Sequence, residues 1–485
     1  MKLGTTNLDG GKDALFGHND RMIHAQTTRA FESWVLTSRT PVWVVVGIVL
    51  KVLLVLGLPL AGPFAHVGAY VLLTLWALGG ARRAIEALTL SWLLTFLNPG
   101  ICSLAAQSDL LRWIVIAAAF VSVVVSALRN RFSIPASLVW LLAFSGVSAF
   151  LAVAVSYAPD VSLFKLVSFT LGAGTILWGF HLTAHEASYW RTWFLVLLAV
   201  VVFVSLPLIA MPLGYVRNNR GFQGILNHPQ AYGTFLGVLS AWLTIMLFER
   251  RLWGIFPWTL LAAALASLFL TQSRTGAVAA VGAPLLCVAW NILRRPGVMR
   301  RGMTLLVRLS PVLIIGVIVI LLNVQTIQRS IESFILKGRT GRAVAEAFHA
   351  SRGDVIQESW ANFQEHPITG IGFGVASDPR KFHVKRDSVL NLPVGASVEK
   401  GFLFSAVLEE VGILGFALFV GLIASILWPT FRSKTAMAPL ALALGALLVN
   451  VGESLFFALG GAGLLVWLLF GAARAMTNEE PPWKR

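Results

Sequence analysis

The stretch Thr192-WFLVLLAVVVFVSLPLI-Ala210 contains no charged residue, and as an α-helix it is long enough to cross the hydrocarbon core of a bilayer. Comparable apolar runs recur along the chain, which has 485 residues, 57% of them hydrophobic and only 12% charged. Soluble globular proteins contain about 25% charged residues. The sequence therefore predicts an all-α polytopic integral membrane protein rather than a soluble domain.

The apolar runs predict about 12–14 transmembrane helices. Two places fit the required length poorly: the short run from Ile85 to Leu97, and the final two runs, which Gly452 and Glu453 separate. The expected spans begin near Val42, Phe64, Ile85, Leu111, Ile134, Leu163, Thr192, Gln230, Leu252, Thr275, Thr304, Gly401, Ala436 and Leu455.

The net charge of +16 indicates how these helices are oriented. Lysine and arginine cluster in alternate connections, for example at Arg82 and Arg83 and again at Arg250 and Arg251. By the positive-inside rule these connections lie in the cytoplasm, together with both chain ends. We therefore expect a cytoplasmic tail over residues 1–40, an N-terminal transmembrane bundle over 41–322, one long outer loop over 323–400, C-terminal transmembrane helices over 401–475 and a cytoplasmic tail over 476–485.

The basic residues lie in short connections between apolar runs, which favours contact with membrane lipids over binding of nucleic acid. The two cysteines, Cys102 and Cys287, lie within or beside apolar runs, so they predict neither a disulfide framework nor a metal site. No pair of histidines has the spacing of metal ligands, and neither H-E-x-x-H nor D-x-D occurs. We expect no cofactor and no catalytic metal bound by protein side chains.

The long loop over 323–400 is too polar to enter a bilayer, and a loop of this length between membrane helices is typical of a functional segment. Short helices are expected inside it. Gly353–Glu365 predicts one of them, because Asp354 suits a first helical turn and Pro367 stops the helix. Its recurring apolar positions would allow it to lie on the membrane surface. A flexible turn is expected directly afterwards, at Gly370, Gly372 and Gly374.

Arginines on the expected outer side run against the charge bias of the rest of the chain. Any single one of them could equally reach lipid headgroups or pair with a loop carboxylate. As a set they indicate an anionic lipid substrate, such as a diphosphate-linked one, because the planar guanidinium fork fits phosphate oxygens. These arginines are Arg217, Arg220, Arg274, Arg339, Arg342 and Arg352.

The histidines and the acidic residues allow two interpretations each. His228 and His366 both precede a proline, and His383 follows basic residues, so each is either functional or a solvated polar residue at a turn. Glu409 and Glu410 lie inside an apolar run. Carboxylates in such a run face a cavity or a polar partner on another helix, and both readings stay open here.

Several short motifs occur in a fixed order along the second half of the chain. Over roughly residues 217–415 this order resembles the bacterial O-antigen ligase and polymerase superfamily. Each motif alone is weakly specific, whereas five in this order are fairly specific. The motifs are Asn227-His-Pro-Gln230, Ser273-Arg-Thr-Gly276, the loop with Arg352 and Trp360, His366-Pro-Ile-Thr-Gly-Ile-Gly-Phe-Gly374, and Leu408-Glu-Glu-Val-Gly-Ile-Leu-Gly415.

The resemblance implies an inverting, metal-independent glycosyltransferase of the bacterial inner membrane that uses an undecaprenyl diphosphate-linked saccharide. The long loop would then be periplasmic. Expected partners are this lipid-linked saccharide, a glycan acceptor, membrane lipids, and chain-length or export proteins. Arginines of the superfamily hold the diphosphate, and the matching positions are Arg220 or Arg217, Arg274 in support, and Arg352, with Arg339 and Arg342 as rivals.

One departure from the superfamily pattern bears on the reaction. Ligases carry a histidine ahead of the E-x-G motif, where this chain has Ser397-Val-Glu-Lys-Gly401. The difference favours a polymerase of O-antigen or exopolysaccharide repeat units, with Glu399 as the first candidate for the base, His383 as the second and Lys400 beside them. A ligase that transfers the glycan to lipid A core is the alternative. A transporter of polysaccharide or lipid-linked sugar is a third reading, although the chain shows no internal repeat of the kind found in many transporters.

Overall fold

The computed structural model describes residues 41–102, 109–129, 132–217, 221–249, 252, 254–294, 353–386, 391–396, 398, 400–433, 437–452 and 454–477. Helices account for most of the described residues, which confirms the predicted all-α fold. They are α1 Val42–Gly57, α2 Pro63–Ala77, α3 Ala81–Thr95, α4 Asp109–Arg129, α5 Ala136–Ala154, α6 Pro159–Leu182, α7 Ala187–Ser205, α8 Pro229–Phe248, α9 Ile255–Thr271, α10 Arg274–Arg294, α11 Asp354–Glu365, α12 Leu403–Arg432, α13 Ala438–Leu448 and α14 Gly463–Met476. A two-stranded antiparallel hairpin pairs β1 Val384–Arg386 with β2 Pro393–Ala396.

Within the described part of the chain, eight helical segments are long and apolar enough to cross a membrane, which confirms a multi-pass membrane protein. The region Ile85–Leu97, which fitted the span length poorly, lies mostly in the 15-residue helix α3, which begins at Ala81 and ends at Thr95. The last two predicted runs form α13 and α14, with 11 and 14 residues, and these are also shorter than a full span. The predicted span near Thr304 lies outside the described residues.

Proline begins several of the helices. Pro63, Pro159 and Pro229 are the first residues of α2, α6 and α8. Proline is favoured there because the first helical position needs no hydrogen bond from its backbone nitrogen, and because the ring presets a helical φ. The helix starts are therefore determined locally by the sequence.

Helices α8 and α10 touch through their backbones. A Cβ atom on Gly237 would lie 2.3 Å from the carbonyl oxygen of Gly276, and one on Gly276 would lie 2.3 Å from that of Gly233. Small residues at such spacing allow membrane helices to approach closely. The glycine of the Ser273–Gly276 motif thus has a packing role, and it fixes where α10 begins relative to α8.

Hydrogen bonds between connections identify one end of the bundle. The side-chain amide of Asn98 donates to the carbonyl oxygens of Leu213 and Gly224 at 2.7 and 2.9 Å, which joins the chain after α3 to the chain before α8. Successive helices run in opposite directions, so the start and the finish of each helix can be assigned either to this end of the bundle or to the opposite end. We call this end the motif end; it carries Asn98, Tyr157, His228, Arg274 and Gly374.

Nearer the opposite end, a buried carboxylate joins four helices. Glu86 on α3 is 1% exposed and accepts hydrogen bonds from Lys51 of α1 at 2.7 Å and from the indole of Trp76 of α2 at 3.0 Å. The hydroxyl of Tyr189 on α7 donates to its other oxygen at 2.6 Å. A charge inside a membrane bundle is stable only with such partners, so this network locks α1, α2, α3 and α7 together.

Candidate active site at the motif end

The chain that follows α11, with residues 366–386 and 391–396 described, lies on the motif ends of α5, α6 and α12. We call it the extramembrane segment. The hydroxyl of Tyr157, between α5 and α6, donates to the carbonyl oxygen of Ala376 at 2.9 Å. The guanidinium of Arg386 in the hairpin pairs with the carboxylate of Asp160 at the start of α6. Two separate polar contacts therefore attach this segment to the bundle.

Helix α12 is broken at Gly412, and the break is filled by the His366–Gly374 motif. Gly412 has φ 61° and ψ −168°, so the helical ladder stops there. In a regular helix the N–H of Ile413 would donate to the carbonyl of Glu409. Here it donates to the carbonyl oxygen of Pro367 at 2.9 Å, and the carbonyl of Glu409 accepts instead from the N–H of Ile371 at 2.9 Å. The two motifs are one hydrogen-bonded unit.

The glycines of this unit are required by the backbone. Gly370, Gly372 and Gly374 have φ values of 66°, 112° and 70°, which lie in the region that favours glycine. The turn predicted at these residues is present, and its backbone hydrogen bonds hold it against α12. A Cβ on Gly412 would lie 2.1 Å from the carbonyl oxygen of Ile368, so only glycine fits at the break.

Glu409 is fully buried and holds three parts of the chain together. Its carboxylate pairs with the ammonium of Lys400 at 2.6 Å and accepts a hydrogen bond from the side-chain amide of Asn362 on α11 at 2.7 Å. Both partners also reach Ser377, through its hydroxyl and its carbonyl oxygen, at 3.2 and 2.9 Å. The buried pair fixes Lys400 and therefore the chain that enters α12.

Glu410 faces a different partner. Its carboxylate accepts the backbone N–H of Gly374 at 2.8 Å, and the ammonium of Lys165 on α6 donates to the carbonyl oxygen of the same glycine at 2.6 Å. Lys165 and Lys400 lie close enough to Glu410 for their charges to interact. Two lysines and two glutamates thus share a small region under the extramembrane segment.

Tyr157 acts as a neutral donor beside this group. Partial burial, reinforced by the nearby carboxylates of Glu409, Asp378 and Glu410, raises the pKa of Tyr157 to about 12. The hydroxyl therefore keeps its proton, and its hydrogen bond to Ala376, at every physiological pH.

The Asn227–Gln230 and Ser273–Gly276 motifs meet at the same end of the bundle. His228 caps α8, and its Nδ1 accepts the backbone N–H of Gln230 at 3.0 Å, so the ring proton of the neutral form lies on Nε2. Gly221 is wedged between Pro229 and the carbonyl of Thr271, whose oxygen would lie 2.8 Å from an added Cβ. The chain directly after Arg220 is therefore fixed between the start of α8 and the end of α9.

Two helix N-termini create a positive potential at this point. Arg274 is the first residue of α10, next to the start of α8, and both helices direct their first N–H groups to the motif end. A helix N-terminus carries a partial positive charge. At these two starts Pro229 has no N–H, and the N–H groups of Gln230 and Gly276 donate to His228 and Ser273, so the dipoles act through their field. The arrangement provides a cationic donor and a favourable dipole field for an anionic group.

The chain between α13 and α14 links this positive region to the carboxylate cluster. A Cβ on Gly452 would lie 2.5 Å from Cγ2 of Thr275, beside Arg274. Further along, the ring of Phe457 packs 5.0 Å from that of Phe373, inside the His366–Gly374 motif. The two groups of motif residues are therefore neighbours, with this connection between them.

The comparison with known protein families follows the same residues. The O-antigen ligase family model matches residues 259–420, a range that contains most of α9, all of α10 and α11, the glycine motif and the broken part of α12. This part of the chain is similar to the O-antigen ligase family, which supports the O-antigen ligase and polymerase superfamily. This confirms the resemblance drawn from the motifs and supports glycosyl transfer from a lipid-linked saccharide as the general activity. No curated protein is significantly similar to the chain.

The remaining predicted site residues are spread more widely. Arg217 is exposed, and its backbone N–H donates to the side chain of Gln223 at 2.8 Å. His366 is exposed at the end of α11, where its carbonyl accepts the N–H of Gly370, and His383 is exposed just before β1. Five predicted site residues lie outside the described residues: Arg220, Arg339, Arg342, Arg352 and Glu399.

Several residues of the site were missed by the sequence interpretation. Lys165 could have been found, because a lone lysine inside an apolar run is expensive in a membrane and usually has a specific partner. Arg112 of α4 is buried and lies beside Gly460 in the connection between α13 and α14, and the same reasoning applies to it. Asn362 and Tyr157 gave no signal in the sequence, since their roles depend on tertiary contacts.

The acidic side chains of the site are engaged by protein groups. Across the part of the chain that the structure describes, no three histidine, cysteine, aspartate or glutamate side chains are grouped as metal ligands. The carboxylates of Glu409 and Glu410 are instead occupied by Lys400, Asn362 and Gly374. Positive charge near the site comes from lysine, arginine and helix N-termini.

Proposed function

We propose that this protein is a polymerase that joins undecaprenyl diphosphate-linked oligosaccharide repeat units into O-antigen or exopolysaccharide. One observation supports this most strongly. A positive region at the starts of α8 and α10 lies next to an extramembrane segment that buried charges attach to the bundle. The positive region would bind the diphosphate, and the extramembrane segment beside it would contact the growing glycan.

The reaction would take place at the periplasmic face of the inner membrane. The basic connections of the chain, such as those with Arg82 and Arg83, lie at the end of the bundle opposite to the motif end. Under the positive-inside rule that end faces the cytoplasm, together with both chain ends, so the motif end faces the periplasm. Lipid-linked repeat units would enter sideways from the outer leaflet.

In the proposed step, a hydroxyl oxygen of the acceptor glycan attacks the anomeric carbon of the donor sugar. The new bond forms on the face opposite to the diphosphate, so the configuration inverts. The bond from the anomeric carbon to the diphosphate oxygen breaks, and undecaprenyl diphosphate leaves with the bonding electrons. The hydroxyl proton passes to a base, for which Glu399 is the first candidate and His383 the second.

The leaving diphosphate gains negative charge as its bond to the sugar breaks. Arg274 and the helix dipoles at the starts of α8 and α10 would stabilise that charge, together with Arg220 or Arg217 and with Arg352, Arg339 or Arg342. No metal is needed in this scheme. Lys400 would act indirectly, since its pairing with Glu409 holds the chain next to Glu399.

A ligase is the second candidate, because the matching family model is described as O-antigen ligase. A ligase would pass the glycan to lipid A core or another acceptor lipid instead of to a further repeat unit. The segment Ser397–Gly401 lacks the histidine that ligases carry ahead of the E-x-G motif, which favours the polymerase.

The deciding experiment uses purified protein in lipid nanodiscs with a defined lipid-linked repeat unit, first alone and then with a candidate acceptor lipid. A polymerase lengthens the glycan without the acceptor, which gel electrophoresis resolves as a ladder. Product that forms only with the acceptor lipid would identify a ligase. Addition of EDTA tests the metal-independent scheme, which activity lost to EDTA and restored by magnesium or manganese would refute.

A further inference from the structure

A single glycine of the extramembrane segment is held from both sides by charged side chains, those of the buried Glu410 and the half-buried Lys165. The carboxylate of Glu410 on α12 accepts the N–H of Gly374 at 2.8 Å, and the ammonium of Lys165 on α6 donates to its carbonyl at 2.6 Å. Gly374 has φ 70°, and a Cβ there would lie 2.7 Å from Cδ of Lys165. The side chain of Lys165 thus fits the space that the missing Cβ leaves.

The charges of this clamp balance those of the neighbouring pair. Lys165 and Glu410 lie beside Lys400 and Glu409, so two positive and two negative groups share one region of low dielectric. Removal of one member leaves an uncompensated charge, which is much more costly than removal of an opposite pair. Loss of Lys165 and loss of Glu410 should therefore compensate each other in part.

We propose that Lys165 is a positioning residue of the transfer reaction. Together with Glu410 it holds Gly374 between α6 and α12, and thereby sets the position of residues 366–386 beside the starts of α8 and α10. This inference rests on the proposed function for its effect on the reaction. The clamp itself is a property of the folded chain and does not depend on any substrate.

The clamp is tested without substrate by hydrogen exchange of the peptide that covers residues 370–376. Hydrogen bonds to charged groups are strong enough that Lys165→Met should speed exchange of this peptide roughly 10- to 100-fold. Lys165→Arg keeps a charged donor and should restore most of the protection. Thr170→Val is the matched control, since Thr170 lies a little more than one helical turn further along α6 and its hydroxyl donates to Ser145 and Leu166.

The second test is a double-substitution comparison in the same assay. Glu410→Gln keeps an oxygen acceptor for Gly374 and removes the charge. In the double variant Lys165→Met/Glu410→Gln, the peptide over residues 370–376 should exchange more slowly than expected if the rate increases of the two single variants were multiplied. The clamp would be overturned if the peptide exchanged in Lys165→Met at the wild-type rate. It would also be overturned if the rate increase of the double variant equalled the product of the two single increases.

The effect on the reaction is read from polymer formation by the same variants. Lys165→Met should lower kcat roughly 10- to 100-fold with little change in KM for the lipid-linked repeat unit, because the diphosphate is held at the other group of motifs. A raised KM with unchanged kcat would overturn the positioning role. If wild-type protein forms no polymer or ligated product while exchange responds as expected, the proposed function fails and the clamp stands.

Discussion

The backbone N–H of Ile413 donates to the carbonyl oxygen of Pro367, 2.9 Å away, although the two residues belong to motifs that look independent in the sequence. The contact exists because Gly412 interrupts α12 and leaves its hydrogen-bonding groups open. The extramembrane segment supplies the missing partners. A break inside a membrane helix is tolerated when other protein groups satisfy its backbone in this way.

The first prediction concerns this break. Gly412→Ala should abolish the interlock, because a Cβ would lie 2.1 Å from the carbonyl oxygen of Ile368 and because the left-handed backbone costs about 1–3 kcal/mol. We expect a clear drop in the thermal unfolding midpoint in detergent and loss of glycan product. Gly146→Ala on α5 is the control, since nothing lies within 4 Å of its added Cβ. An unfolding midpoint shared by the two variants would contradict the prediction.

The second prediction concerns the contact between α8 and α10. Gly237→Ala places a methyl group 2.3 Å from the carbonyl oxygen of Gly276, so the helices must separate. Separation would move Arg274 away from the start of α8. We therefore expect a large loss of activity per folded molecule with a small decrease in the thermal unfolding midpoint. The measurement is product formation per folded molecule, with Gly68→Ala on α2, whose added Cβ meets open space, for comparison.

The sequence was sufficient for the parts of the fold that depend on local pattern. The helix Asp354–Glu365 was predicted to within one residue, as Gly353–Glu365, from Asp354 and Pro367, and the turn was predicted from its glycines. The lengths of the membrane helices were harder to predict. Helices α13 and α14 are shorter than a full span and are stabilised by neighbouring helices. Lys165 could be singled out as a lone lysine in an apolar run, but its partner Gly374, like the partner Glu409 of Asn362, is far away in the chain and is brought near only by folding.

The third prediction concerns stability at the opposite end of the bundle. Glu86→Gln removes the charge that faces Lys51, while the amide keeps its oxygen toward Lys51 and Trp76 and turns its NH2 to the hydroxyl of Tyr189. The loss of the charge-assisted hydrogen bond should cost about 1.5–3 kcal/mol. Glu186→Gln is the matched control, because Glu186 is 24% exposed and its ion pair with Arg82 contributes little. Thermal unfolding of both variants measures the difference. Product formation per folded molecule should remain that of the wild-type protein in each case.

The fourth prediction concerns alkaline pH. The pKa of Tyr157 is raised to about 12, so its hydrogen bond to Ala376 contributes fully below the ordinary tyrosine pKa of 10 and is lost as the pH rises toward 12. The side chain is 41% exposed, so the effect is small. Tyr157→Phe should unfold slightly below the wild-type temperature up to pH 10, and the gap should close above it. A gap that widens from pH 10 to 12 would reverse the assigned sign.

The last prediction concerns the arginines proposed to hold the diphosphate. Arg274 begins α10, and Arg220 directly precedes Gly221, which is wedged against Pro229 at the start of α8. A bidentate fork binds two phosphate oxygens at once, and the point charge of lysine cannot reproduce that geometry. Arg274→Lys and Arg220→Lys should therefore both lose most activity, with alanine at either position costing roughly 100-fold or more.

The control for these variants is Arg380→Lys, the same exchange at an exposed position of the extramembrane segment. The measurement is donor consumption and glycan length at matched protein levels in nanodiscs. If the arginines only pair with carboxylates of the chain, lysine should restore function and alanine should mainly reduce yield. Near-wild-type turnover by both lysine variants would contradict diphosphate binding by these two arginines. It would also contradict the assignment of the donor site to the starts of α8 and α10.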